Sequence, residues 1–142
     1  MNSRVAGRGR DASRPRLPFV TAINLFKHSR DVIDVEAGHA LFREGEPGDT
    51  MFVVLDGAVE VIHGDQVVET IGAGGLVGEL ALIDTAPRSA SAIAATPCRL
   101  VPVGKPEFTF LVHEHPTFAL QVMTVMAERL RRTNDRTMPP LG

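Results

Sequence analysis

The sequence contains a single cysteine, Cys98, and has neither tryptophan nor tyrosine. One cysteine cannot form an intramolecular disulfide bond or a cysteine-rich metal site, and this usage is typical of a reducing cytosol. No apolar run approaches the roughly 20 residues of a membrane-spanning helix, and no apolar N-terminal segment indicates a secretory signal. We therefore expect a cytoplasmic chain without a membrane span, whose 142 residues suit one hydrophobic core.

The net charge of −2 conceals two oppositely charged parts. Residues 1–18 contain five arginines and one aspartate, whereas the remaining residues carry ten basic and sixteen acidic side chains. Because the basic segment has little apolar content, we predict a disordered tail over 1–18, which either binds an anionic partner or is simply solvated. The acidic remainder is a poor candidate for non-specific DNA binding.

Between residues 31 and 103, short runs of β-forming residues alternate with turns that contain glycine. The predicted strands cover residues 32–35, 40–43, 51–55, 58–63, 66–71, 91–95 and 98–103. Gly64 and Asp65 lie between the fourth and fifth runs and predict a tight hairpin. Many short strands at regular spacing predict a β-barrel or a β-sandwich.

The C-terminal part has the spacing of helices. Pro106 and Pro116 occupy positions typical of a first helical residue and predict helices over 106–113 and 116–134. The second helix carries apolar residues on two faces. One face contains Phe118, Val122 and Val125, and the other contains Leu120, Met123, Ala127 and Leu130. The first group can pack on the barrel, and the second either packs there too or contacts another chain. We interpret the cluster Arg129, Arg131 and Arg132 as a solvated face that complements the helix dipole, and residues 136–142 as a flexible C-terminus.

The segment from Gly78 to Ala90 interrupts the β pattern with residues suited to a nucleotide. Gly78 lets the backbone approach a ligand closely, and the first N–H groups of a short helix over 79–83 form an anion site. Arg88 offers a planar fork for phosphate oxygens, and Glu79 offers an acceptor for a sugar hydroxyl. Since the sequence has no Walker-type Gly-Lys-Ser/Thr and no dinucleotide fingerprint, we predict a ligand with a single phosphate.

These residues resemble the phosphate-binding cassette of cyclic nucleotide-binding domains, in which a Gly-Glu pair precedes an Arg-Ser/Thr/Ala-Ala triplet. The matching residues are Gly78, Glu79, Arg88, Ser89 and Ala90, and the glycines Gly38, Gly45, Gly48 and Gly57 lie at the family's turn positions. The resemblance implies a mainly β fold over residues 19–135. Its expected architecture is an eight-stranded β-roll, or jelly roll, with a short helix in the cassette (residues 78–90) and two C-terminal helices.

The resemblance also implies a role for each site residue. Arg88 pairs with the cyclic phosphate, the amides of Leu80, Ala81 and Ser89 complete the cradle, and Glu79 accepts a hydrogen bond from the ribose 2′-hydroxyl. Val61 and Ile71 are expected barrel-wall contacts to the base or the sugar. Thr133 and Asn134 match two hydroxyl residues that meet the adenine in family members, and asparagine at the second position departs from that pattern.

The function implied is that of a non-enzymatic sensor whose ligand is cAMP, with cGMP as the alternative and no further cofactor. Ser89 lies where cAMP-binding members often have alanine and cGMP-binding members threonine. A cyclic dinucleotide stays open, although a pocket for one phosphate disfavours it. The sensor is expected to act through a protein partner or a homodimer formed by the helix over 116–134. Transcription factors of the family add a helix-turn-helix domain after that helix, but this chain ends at Gly142, so direct DNA binding is not expected.

Two other interpretations remain. A cupin-type metalloenzyme would need a cluster of histidines with a carboxylate, and no His-x-His motif lies on a predicted strand. Alternatively, the chain is a ligand-free interaction module with the same fold, in which Arg88 is the ion-pair partner of a nearby carboxylate.

Overall fold

The computed structural model describes residues 25–137, and describes side chains as far as residue 132. The predicted tail over 1–18, the start of the predicted domain at residue 19 and residues 138–142 of the predicted flexible C-terminus lie outside the described residues.

Eight strands within the described residues form two antiparallel four-stranded sheets, which confirms the predicted mainly β fold. They are β1 (Ile33–Val35), β2 (Ala40–Phe42), β3 (Thr50–Asp56), β4 (Val59–His63), β5 (Gln66–Ile71), β6 (Leu76–Val77), β7 (Ser91–Ala94) and β8 (Cys98–Gly104). The strand order is β1-β8-β3-β6 in one sheet and β2-β7-β4-β5 in the other. Strand β6 was not predicted, because two residues show no period in the sequence.

The turns between strands lie where the sequence predicted them. The β4–β5 hairpin is closed by the pair His63 and Gln66, and Gly64 adopts a positive φ of 64° that its missing side chain permits. Gly57, between β3 and β4, has a φ of 95°, and a Cβ atom there would lie 2.4 Å from the carbonyl oxygen of Pro97. A larger residue at position 57 would therefore displace the start of β8.

Two apolar clusters form the interior, one between the sheets and one beneath the helices. The cluster between the sheets contains Val54, Val59, Ile71, Val77, Ala92, Ala94, Cys98 and Leu100. The cluster beneath the helices joins β3, β6 and β8 to the C-terminal helix through Met51, Val53, Leu76, Val103, Phe118 and Val122. The barrel therefore holds the C-terminal helix by its first turns.

Two helices follow the strands, α1 (Lys105–Glu114) and α2 (Pro116–Thr137). Helix α1 begins one residue earlier than predicted, because the Glu107 carboxylate accepts a hydrogen bond from the Gly104 amide at 3.1 Å and caps that end. Pro106 is therefore the second helical residue rather than the first. No helix among the described residues is long and apolar enough to cross a bilayer.

Helix α2 divides its apolar residues between two faces, as the sequence indicated. Phe118 and Val122 are fully buried against the barrel. Leu120, Met123 and Leu130 are 62%, 52% and 48% exposed. Ala127, predicted with the second group, is half-buried at the boundary between the faces.

Candidate functional site

The cassette begins with a left-handed turn at Gly78, whose φ is 79°. A 3-10 helix over Glu79–Leu82 follows, tighter and shorter than the helix predicted over 79–83. A Cβ atom at Gly78 would lie 2.8 Å from Nη1 of Arg88 and 3.1 Å from the ring of Phe42. Glycine is thus required twice, for the turn and for the approach of the Arg88 guanidinium to the backbone.

Arg88 is fixed through both its backbone and its side chain. Its amide donates to the carbonyl of Glu46 at 2.8 Å, and its own carbonyl accepts from the Gly45 amide at 2.8 Å. Its Nη2 donates to the Thr50 carbonyl at 2.8 Å, and its Nη1 lies 3.4 Å from the Gly78 carbonyl. These bonds direct a half-buried guanidinium toward the cassette.

One face and one edge of that guanidinium are also enclosed. Its carbon atom lies 3.9 Å above the ring centroid of Phe42, within cation–π distance. Gly48 lies so close that a Cβ atom there would be 2.5 Å from Nε. Nε is buried and has no hydrogen-bond partner, and no described carboxylate lies within ion-pair distance of Arg88.

The electrostatic balance at Arg88 reflects this enclosure. Burial lowers the pKa of Arg88 from its ordinary value, while the negative charges of Asp49 and Glu46 act in the opposite direction. A half-buried cation with an unpartnered nitrogen has unused capacity to bind an anion. The ion-pair role that a ligand-free module would give Arg88 has no carboxylate within ion-pair distance among the described residues, although Asp49 and Glu46 act on Arg88 from farther away.

Glu79 is the one buried charged side chain in the described residues, at 2% exposure. Its Oε1 accepts a hydrogen bond from Nη1 of Arg129 on α2. Burial raises the pKa of Glu79, the charge of Arg129 lowers it and the charge of Glu69 raises it, with a net upward shift. The buried carboxylate is therefore paired, as a charge in that position must be.

Arg129 joins the helix to two carboxylates of the barrel. Besides Glu79, it contacts Glu69 on β5, with Nε 3.1 Å from Oε1 and Nη2 3.2 Å from Oε2. Arg132 adds a contact of 3.4 Å to Oε1 of Glu69. The interpretation of this basic cluster as a solvated face was wrong for Arg129, whose side chain is only 16% exposed.

The predicted wall residues lie on the inner face of the second sheet. Ile71 is buried opposite Val59, and the half-buried Val61 pairs with Ala92 on one side and Glu69 on the other. Cross-strand partners project from the same face of a sheet. Glu69 therefore shares the inner face with Val61 and Ile71.

The other predicted site residues differ from one another in burial and in hydrogen bonding. Leu80 is half-buried and packs against the cluster beneath the helices. The Ala81 amide already donates to the Gly78 carbonyl at 3.2 Å, so a phosphate would have to share it. Ser89 is exposed, and its carbonyl accepts from Nδ1 of His63 at 3.1 Å. The side chains of Thr133 and Asn134 lie outside the described residues.

Sequence reasoning missed three residues of this region: Phe42, Glu69 and Arg129. The spacing of the sequence could have indicated the last two. Glu69 lies two residues before Ile71 and so projects from the same face of the strand, and Arg129 lies one helical turn before Thr133. Among the described residues, no group of three or more histidine, cysteine, aspartate or glutamate side chains could hold a metal ion.

The two antiparallel sheets, the glycine-led cassette and the enclosed Arg88 together define a β-roll whose cassette places an arginine beside the first turn of a short helix. Residues 32–115 match the family described as the cyclic nucleotide-binding domain, and the chain belongs to that family. The resemblance seen in the cassette is thereby confirmed.

Two curated relatives and one solved structure illustrate the similarity. A CRP-like cAMP-activated global transcriptional regulator of Mycobacterium tuberculosis is 32% identical over 72% of this chain and 48% of its own length. A cyclic nucleotide-gated potassium channel of Rhizobium etli is 40% identical over 67% of this chain and 26% of its own. A cyclic nucleotide-binding domain from Methylobacillus flagellatus has a TM-score of 0.64 and 29% identity, covering 78% of this chain and 68% of that one. The chain spans less than half the length of either curated relative.

Proposed function

We propose that the protein is a non-enzymatic cytoplasmic sensor that binds cAMP, with the cyclic phosphate on Arg88. The observation that carries the proposal is the half-buried guanidinium, which has an unpartnered Nε and no described carboxylate within ion-pair distance. A cyclic phosphate carries one negative charge and can accept from Nη1 or Nη2, each of which has a second N–H beside the one directed at a backbone carbonyl. The ligand would therefore supply a negative charge that the described residues do not place within ion-pair distance of Arg88.

Glu79 is the proposed contact to the ribose. One of its oxygens accepts from Arg129, and an ionised carboxylate has lone pairs on both oxygens. It can therefore accept from the 2′-hydroxyl while the ion pair to Arg129 persists. Because the carboxylate is buried, a ligand without that hydroxyl would leave it under-paired.

Ser89 is intermediate between the alanine of cAMP-binding members and the threonine of cGMP-binding members, so the proposed choice of cAMP rests on the cAMP-activated regulator among the relatives. The alternative, cGMP, is favoured by the hydroxyl of Ser89, which offers an acceptor to the guanine amino group. The base is proposed to lie against Val61 and Ile71 and to meet Thr133 and Asn134.

The output is proposed to pass through α2, to a protein partner or to a second copy of the chain. The ion pairs of Arg129 connect this helix to Glu79, so a ligand at the ribose site acts on a residue that α2 contacts directly. The exposed side chains of Leu120, Met123 and Leu130 provide an apolar surface on the same helix. The acidic charge of residues 19–142 favours a protein partner over DNA.

Calorimetry with cAMP and cGMP on the purified protein tests the proposal. We expect both nucleotides to bind at one site per chain, with cAMP preferred by a modest factor. Absence of binding to either would refute the sensor function and favour the ligand-free module, and a higher affinity for cGMP would refute the choice of cAMP.

A further inference from the structure

Glu69 lies where a carboxylate is not expected, on the inner face of the barrel. It projects from the same face as the apolar residues Val61 and Ile71. The side chain of Glu69 is 24% exposed. It contacts Arg129, a residue that lies 60 positions later in the sequence. A charged side chain on a largely apolar wall needs a partner, and here the partners come from a different element, α2.

The contact between Glu69 and Arg129 has the geometry of a fork. Two nitrogens of the guanidinium, Nε and Nη2, face the two oxygens of Glu69 at 3.1 and 3.2 Å. A guanidinium is planar and rigid, so fixing two of its nitrogens also fixes the third. The third nitrogen, Nη1, is the one that donates to Oε1 of Glu79.

We propose that Glu69 is a positioning residue of the nucleotide site: it holds Arg129 so that a single nitrogen engages Glu79 and the rest of that carboxylate is kept for the ribose hydroxyl. The inference rests on the proposed function, since it assigns Glu79 to the ribose.

The alternative arrangement of Arg129 explains why Glu69 matters. Without a carboxylate at position 69, the whole fork of Arg129 can close on Glu79 and occupy both of its oxygens. The 2′-hydroxyl would then compete with a charge-assisted pair for its acceptor. Loss of Glu69 should therefore weaken recognition of the 2′-hydroxyl specifically, whereas a contribution to folding alone would affect all ligands equally.

The test compares cAMP with 2′-deoxy-cAMP by calorimetry in wild type and Glu69→Gln. Wild type should prefer cAMP by more than about tenfold, and Glu69→Gln should reduce the preference to about threefold or less. The matched control is Glu60→Gln, the same substitution on the outer face of β4, which should keep the wild-type preference. In a Glu79→Gln background, adding Glu69→Gln should change the preference by less than about twofold.

Arg129→Lys gives an independent arm in case Glu69→Gln does not fold. Lysine keeps the charge but has no rigid fork that Glu69 could fix, so its ammonium group can approach both oxygens of Glu79 and the preference for cAMP should again fall. If wild type discriminates between the two ligands and the preference is unchanged in both variants, the role of Glu69 is refuted while the proposed function stands. If wild type binds neither ligand, both are refuted.

Discussion

Replacing Arg88 with alanine removes the guanidinium to which the phosphate is assigned. The structure commits Nη2 to the Thr50 carbonyl and places Nη1 near the Gly78 carbonyl, while Nε is unpartnered. A phosphate would therefore meet a cation that is already oriented and partly desolvated, a setting in which charge pairs are strong. Truncating one partner of such a pair costs about 2–5 kcal/mol, and at about 1.4 kcal/mol per tenfold the affinity for cAMP should fall roughly 30- to 3000-fold.

Arg88→Lys refines this prediction. Lysine keeps the positive charge but cannot donate in two fixed directions, so it cannot bond the Thr50 carbonyl and the phosphate in the same way. We expect an affinity between those of wild type and Arg88→Ala. An affinity close to that of the alanine variant would show that the geometry of the fork, rather than its charge, carries recognition.

The assay is calorimetric titration with cAMP, accompanied by thermal unfolding of each variant. Arg99→Ala is the matched control, because it removes an arginine that is largely exposed. The one described ion pair of Arg99 joins its Nε to Oδ1 of the exposed Asp34 at 3.5 Å. That variant should bind as wild type does. If Arg88→Ala remains folded and binds cAMP within about threefold of wild type, the phosphate assignment is wrong.

Three further predictions follow from the site and the helix. Gly48→Ala should lower cAMP affinity about tenfold, because a Cβ atom there would lie 2.5 Å from Nε of Arg88. The control, Gly72→Ala, has open space around the added Cβ atom and should keep the wild-type affinity, and equal affinities of the two variants for cAMP would contradict the close packing at Gly48. Leu130→Glu should weaken self-association or partner binding in sedimentation while changing cAMP affinity far less than Arg88→Ala, and the equally exposed Val67→Glu on β5 should do neither; a wild type that is monomeric with and without cAMP would exclude the homodimer. Because burial raises the pKa of Glu79 above 4.5, the stability of wild type relative to Glu79→Gln should be greatest below pH 4.5 and decrease as the pH rises through the raised pKa, and a urea-unfolding series that shows the opposite slope would refute that direction.

The sequence predicted those parts of the fold that local patterns encode. The β4–β5 hairpin followed from Gly64 between two alternating runs, and the cassette followed from Gly78, Glu79 and Arg88 in their order. Strand β6 escaped prediction because its pairing with β3 depends on tertiary contacts and its two residues have no period. Neither the length of this two-residue segment nor its position in the chain indicates a strand.

The contacts of Arg129 show why part of the site could not be predicted. At the end of an amphipathic helix, an arginine is usually solvated, and the sequence does not show which barrel residues it approaches. Its partners Glu69 and Glu79 lie 60 and 50 residues away in sequence. Only the folded arrangement of β5, the cassette and α2 brings the three side chains together.

The attachment of α2 gives it the proportions of a lever. The buried Phe118 lies near its start, the ion pairs of Arg129 lie about 16 Å further along, and Thr137 ends the helix about 28 Å from Phe118 at 1.5 Å per residue. If the helix pivots at Phe118 as a rigid rod, a displacement of ~1 Å at Arg129 becomes ~1.7 Å at the C-terminal end. A small rearrangement around the ribose site would thus be amplified at the part of the helix that lies farthest from the barrel anchor.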